Sequence, residues 1–307
     1  MLKRALLAAI AVALTTPALA QNADAIKGVI SPKATVELVQ EGYKFTEGPV
    51  GTAKGELYFT DNRADQILLL DSKGKISLAY DKTDNANGLA LSRTGELFEV
   101  QGSGKKVNKR AKDGKVTTLA DGIGGKPFMA PNDLILDAKG GIYFTDPGPR
   151  PVVQGRKAYV YYLPPGAKEP IVADDTLVRP NGLTLAIGGR VLIVDDSVSD
   201  EVSAWDVQRD GTLKNKRTLI KLRDIPEGKE SGADGMAIDF TGRLYIATIA
   251  GVQVFDEQGS YLGTIKVPRQ PSNVAFAGKK KATLYITARE GLYKIVTLTK
   301  GPAHLGK

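Results

Sequence analysis

The sequence predicts an all-β chain: a six-bladed β-propeller with four-stranded antiparallel blades, its ring closed by an N-terminal strand. Three observations carry this. A turn-plus-strand phrase, usually opening on glycine, recurs six times at the spacing of one propeller blade. A second, mostly apolar phrase stands just upstream of every copy. The last blade is one strand short, and the N-terminal region has a strand to spare.

The first phrase reads GELYFTD (55–61), GELFEVQ (95–101), GGIYFTD (140–146), GRVLIVD (189–195), GRLYIAT (242–248) and ATLYITA (282–288), with copies 40 to 53 residues apart. The second reads EGPVGT from Glu47, NGLALS from Asn87, NDLILD from Asn132, NGLTLA from Asn181, DGMAID from Asp234, and SNVAFA around Asn273. Each is short and apolar, as a strand buried on both faces should be. Third and fourth strands follow: QILLLDS and KISLAYD in the first blade, GVQVFDE and YLGTIKV in the fifth. After the sixth blade's GLYKIVTL only a tail remains, so ATVELVQ (34–40) is expected to supply its outer strand and remove the open edges. No linker or composition shift divides the chain, so 21–307 reads as a single domain. No helix is needed in it.

Residues 1–20 read as a secretory signal peptide. Lys3 and Arg4 precede a short apolar run, and Ala18-Leu19-Ala20 offers small residues for cleavage before Gln21. The product is expected to be periplasmic or secreted, monomeric, and free of membrane once the leader is removed. The chain has no cysteine, which excludes disulfides and thiol chemistry. Its formal charge of +8 is scattered, with short clusters such as Lys279-Lys280-Lys281, a pattern of solvated turns rather than a nucleic-acid surface. His304 is the single histidine and lies beyond the last blade, which excludes Ser-His-Asp chemistry.

In a propeller the first strand of each blade lines the central channel. The upstream phrase carries an oxygen-bearing residue in every blade: Glu47, Asn87, Asn132, Asn181, Asp234 and Asn273. Pseudo-symmetry then brings residues far apart in sequence to one axis. Asn-Gly and Asp-Gly also form turns, and each dipeptide alone reads that way. The regular choice of Glu, Asn or Asp, never Lys, favours a cation. These are hard oxygen ligands suited to Ca²⁺; magnesium, with its rigid octahedral demand, fits less naturally, and zinc or copper lacks Cys and a placed His.

On EGP at Glu47, PND at Asn132, RPNGL at Asn181 and ADGMAID at Asp234, the chain resembles the senescence marker protein-30/gluconolactonase family over essentially all of 21–307. The resemblance implies a six-bladed propeller and a calcium-dependent lactonase. It makes Glu47, Asn181 and Asp234 metal ligands, and Asn132 a further ligand or the holder of a substrate or water oxygen. Asn87 and Asn273 are left as channel lining. Sugar-lactone members carry an Arg two residues before the third-blade Asn; here that place is Ala130, which points to a less polar lactone or ester.

The expected reaction is hydrolysis of a small-molecule lactone or related ester, with Asp234 and Asn132 at the chemistry and Asp234 acting as base or as nucleophile. Two other readings use the same scaffold: an organophosphate-ester hydrolase, and a non-catalytic ligand-binding propeller with a structural metal. Asp61, Asn62, Arg63, Asp146, Asp196, Ser197, Arg289 and Glu290 are expected at the channel mouth, and the Pro-rich stretch from Pro147 to Gly155 is expected to form a lid. Tyr159, Tyr161 and Tyr162 are expected to pack within a strand.

Overall fold

The computed structural model describes residues 21–303. The predicted leader and His304 lie outside the described residues. Six antiparallel blades surround one axis, five of four strands and the sixth of four with the two-residue strand Gln21–Asn22 added at its outer edge. Their inner strands are Thr46–Gly51, Ala86–Leu91, Leu134–Leu136, Pro180–Leu185, Met236–Ile238 and Asn273–Ala277, in blades 1 to 6. Two short 3₁₀ turns, Asn62–Ala64 and Lys279–Lys281, are the helical elements of the described residues. A small hairpin pairing Gly122–Ile123 with Lys126–Pro127, not anticipated from sequence, joins blades 2 and 3.

The glycine opening the repeated phrase has a backbone cause. Gly55, Gly95, Gly140 and Gly242 sit at φ between +81° and +89°, the left-handed region that other residues avoid. In blade 3 the turn is locked by Asp137, whose Oδ1 accepts from Lys139 N (2.7 Å) and Gly141 N (2.8 Å). This turn lies at the channel end opposite the ring residues, so every inner strand starts at the same rim.

Burial follows the distance from the axis. Thr46–Gly51 and Pro180–Leu185 are buried at every position, because blades flank both of their faces. The outermost strand of blade 4, Leu213–Lys221, is mostly exposed. Apolar side chains fill the wedges between blades. Phe98, Phe144 and Tyr161 join blades 2 and 3, and Tyr245 meets Phe276 edge-on at 5.1 Å between blades 5 and 6. The tyrosine run occupies the strand Tyr159–Leu163, with Tyr161 and Tyr162 buried as expected.

The ring closes as the sequence predicts. Thr35–Glu41 adds to Gly291–Val296, with Leu38 opposite Tyr293 and Glu37 opposite Lys294. A 3.1 Å ion pair accompanies the last pairing. Without this strand Gly291–Val296 would present an unpaired edge.

Candidate active site

At the rim where the inner strands begin, backbone groups of successive blades are tied together. Thr60 Oγ1 donates to Asn87 O (3.2 Å), Gly88 N to Asn132 O (2.9 Å), and Thr145 Oγ1 to Asn181 O (2.7 Å). Gly235 N donates to Ser272 O (2.8 Å), and Ser272 Oγ to Thr46 O (2.7 Å). The ring residues are thus held by a belt of bonds that crosses blade boundaries.

The glycines beside them explain the repeated dipeptide. A Cβ on Gly48 would meet Asn87 O at 2.0 Å, one on Gly182 would meet Asp234 O at 2.0 Å, and one on Gly235 would meet Asn273 Cγ at 1.8 Å. Asn87-Gly88 and Asn181-Gly182 lie inside strands, not turns. Glycine is required there because the neighbouring blade's backbone occupies the space of a side chain. The turn reading of these dipeptides is displaced by this close approach.

The ring side chains carry distinct partners. Glu47 is buried, and its Oε2 accepts from Gly48 N (3.1 Å) and Asn273 Nδ2 (3.3 Å). Asn181 is also buried; its Nδ2 donates to Ser197 Oγ at 2.9 Å, which leaves Oδ1 buried with no hydrogen bond. Asn87 Oδ1 is in the same condition. Asn132 is half-buried at this level.

Asp234 retains some surface along the channel, yet protein encloses it closely. Desolvation pushes its carboxyl well above the ordinary carboxylate range, and the negative charges of Glu47, Asp195 and Asp133 push it further; Arg289 opposes them. Four carboxylates from blades 1, 3, 4 and 5 therefore share one electrostatic environment. Among the described residues no three Asp, Glu, His or Cys groups form a metal site by themselves, so a cation here needs the amide oxygens too.

Asp133 and Asp195 were missed by sequence reasoning, because both read as ordinary strand residues within PND and GRVLIVD. Asp133 Oδ1 accepts from Leu134 N (2.9 Å), and Asp195 Oδ1 from Gly182 N (3.0 Å). The sixth blade differs from its expected register. Ser272 N bonds Thr287 O just as Asn132 N bonds Thr145 O and Asp234 N bonds Ala247 O. Ser272 thus holds the ring place, and Asn273, one position on, orients Glu47 instead.

The expected rim residues divide by role. Asp61 accepts from Lys44 N and Phe45 N, Asp146 from Met129 N and Ala130 N, and Asp196 from Val178 N and Arg179 N, all between 2.7 and 3.1 Å. Each carboxylate clamps the backbone just before an inner strand. Burial raises the Asp146 carboxyl above its usual range despite these bonds. Arg63 and Arg289 stand 4.6 and 5.2 Å from the centre of the Phe45 ring. Pro147 to Gly155 lies in the connection between the second and third strands of blade 3, and Gly148 O accepts from Arg179 Nη1 at 3.0 Å. A cavity of about 560 Å³ opens at the opposite end, lined by Leu91, Leu136, Leu185 and Ile187. It contains none of the ring residues, so chemistry rather than volume locates the site.

A six-bladed ring with carboxylates and amides at its axis defines a class, and comparison with known proteins identifies it. The chain belongs to the SMP-30/gluconolactonase/LRE-like family, whose family model matches residues 45–290. It is 27% identical over 311 residues to a gluconolactonase of Zymomonas mobilis, covering 91% of this chain and 85% of that one. It is 34% identical over 257 residues to regucalcin of Oryctolagus cuniculus, covering 80% and 84%. A solved gluconolactonase structure from Xanthomonas campestris superposes with a TM-score of 0.77 at 26% identity, covering 92% of this chain and 99% of that one. Gluconolactonase and lactonohydrolase relatives support lactone hydrolysis as an activity of the family.

Proposed function

We propose that this chain hydrolyses a lactone or related carboxylic ester with a Ca²⁺ ion held by Glu47, Asn181 and Asp234, and with Asn132 as a further oxygen donor. One observation carries the reading. Ser197 takes the amide hydrogen of Asn181, so a buried carbonyl oxygen is left without a donor in a ring that already carries Glu47 and Asp234. Buried carboxylates and an orphaned amide oxygen are costly as neighbours, and a hard cation offsets that cost.

When bound, the ion would supply Lewis-acid polarisation of the substrate carbonyl. The protein's own groups do the rest. Asp234 accepts the proton of the attacking water, and the Asn132 amide orients a substrate oxygen or that water. The ring opens to a hydroxy acid, and the proton is returned to the departing alkoxide. The Gly148 carbonyl, which accepts from Arg179 Nη1, ties the 147–155 connection to the residue just before the inner strand of blade 4. The signal-peptide pattern read in residues 1–20 supports export to the periplasm or beyond.

The test is a panel of lactones, carboxylic esters and organophosphate esters on the mature protein, with chelator and with added Ca²⁺. Lactone turnover that disappears on chelation and returns with Ca²⁺ is expected. Unchanged turnover in chelator, or turnover of organophosphates alone, would overturn the reading.

A further inference from the structure

Two arginines are buried in the core of the described residues, and they are treated differently. Arg110 is 7% exposed and fully neutralised: Nε and Nη2 reach Glu99 at 3.1 and 2.9 Å, and the guanidinium lies 4.5 Å from the centre of the Tyr80 ring. Arg179 is 8% exposed and forms no ion pair with a carboxylate among the described residues. Nη1 reaches the Gly148 carbonyl, and Nε is buried without a partner. A desolvated guanidinium with no carboxylate in direct contact is expensive, and its planar fork suits a carboxylate bound bidentately.

Its position is equally specific. Arg179 precedes Asn181 by two residues, the same offset by which Ala130 precedes Asn132 in the preceding blade. Asp196 fixes its backbone through Arg179 N at 3.1 Å, and Ser197 N donates to Arg179 O at 3.0 Å. It lies within electrostatic reach of Asp234 and is bonded to the loop carrying Gly148. The nearby Arg150 is matched by Glu230 at 2.9 Å, whereas Arg63 and Arg289 crowd the half-buried Phe45 without a carboxylate partner among the described residues. Arg63, Arg150, Arg179 and Arg289 all stand in connections at the rim where the inner strands begin.

Building on the lactonase reading, we propose that the substrate is a lactone bearing a carboxylate, and that Arg179 binds that carboxylate as the specificity-determining residue. The guanidinium absent at Ala130 is supplied one blade further round the ring. The expectation of a less polar substrate, drawn from Ala130 alone, is replaced by this one.

The test has a kinetic arm and a binding arm. In the kinetic arm, kcat/KM is measured for glucarolactone, which carries a carboxylate, and for neutral gluconolactone. Loss of one charge-assisted contact is worth about 1.5–3 kcal/mol, so Arg179→Gln should lower the glucarolactone-to-gluconolactone ratio by roughly 10- to 100-fold, mainly through KM. Arg179→Lys should recover part of it. In wild-type protein, raising the salt should raise KM for glucarolactone more than for gluconolactone. An unchanged ratio, or identical salt responses, would overturn the assignment. The binding arm is independent of turnover: calorimetry of glucarate should show binding to wild-type protein and at least tenfold weakening in Arg179→Gln. Equal affinities would remove Arg179 from the site even if lactones are hydrolysed. Absence of turnover on every lactone, with glucarate still bound through Arg179, would instead count against the lactonase reading.

Discussion

Gly182→Ala tests whether the ring depends on close approach of neighbouring backbones. The added Cβ would lie 2.0 Å from Asp234 O and 2.8 Å from Asp195 Oδ2, whereas real Cβ contacts stay above 3.0 Å. The obstructing atom is a carbonyl in the adjacent blade, so one inner strand must shift by about 1 Å in a closely packed interior. Overpacking of this kind costs about 3 kcal/mol at its upper range, equivalent to a fall of roughly 5 °C in Tm for a domain of this size. A displacement of that length between Asn181 and Asp234 should also reduce lactone turnover roughly 10²-fold. Gly102→Ala is the control, since its nearest neighbours are at 3.7 and 3.9 Å and its φ is not positive. It should change stability by no more than about 1 kcal/mol in either direction. Thermal unfolding by circular dichroism, paired with a lactone assay, reads both. Equal Tm and activity in the two variants would refute the reasoning.

Ser197→Ala releases the Asn181 amide and should weaken Ca²⁺ binding about tenfold in calorimetry, with the fold retained. Glu47→Gln should also lower Ca²⁺ affinity; unchanged binding would remove Glu47 from the ligand set. Asp234→Asn should abolish turnover while circular dichroism stays that of the wild type, and full activity would rule out its catalytic role. Removing residues 21–41 exposes the edge of Gly291–Val296, and light scattering should report aggregation; a monomeric, cooperatively unfolding product would contradict the closure argument.

The fold was legible because propeller symmetry prints itself on the sequence. The glycine at positions such as Gly140 marks a left-handed turn, and the apolar phrase beside it marks a strand enclosed by two neighbours. Closure by the N-terminal strand followed from counting. The ring was legible for the same reason, through Glu47, Asn181 and Asp234. What the sequence concealed depends on contacts between blades. The glycine of NGL reads as a turn until Asp234 O is found against Gly182. Asp61, Asp146 and Asp196 look like a polar rim, but each is occupied by backbone amides. Asn273 looks equivalent to Asn132, yet hydrogen-bond register gives that place to Ser272. Arg179 carries no signal beyond its neighbours RPNGL, because its burial without a carboxylate in ion-pair contact exists only in three dimensions.

The central claim is that side chains from separate blades meet around one cation. A crystal structure of the mature protein grown with Ca²⁺ tests it most directly. The account predicts one ion with oxygens of Glu47, Asn181 and Asp234 all at about 2.3–2.6 Å. A calcium-saturated crystal with no ion among those three residues would contradict it.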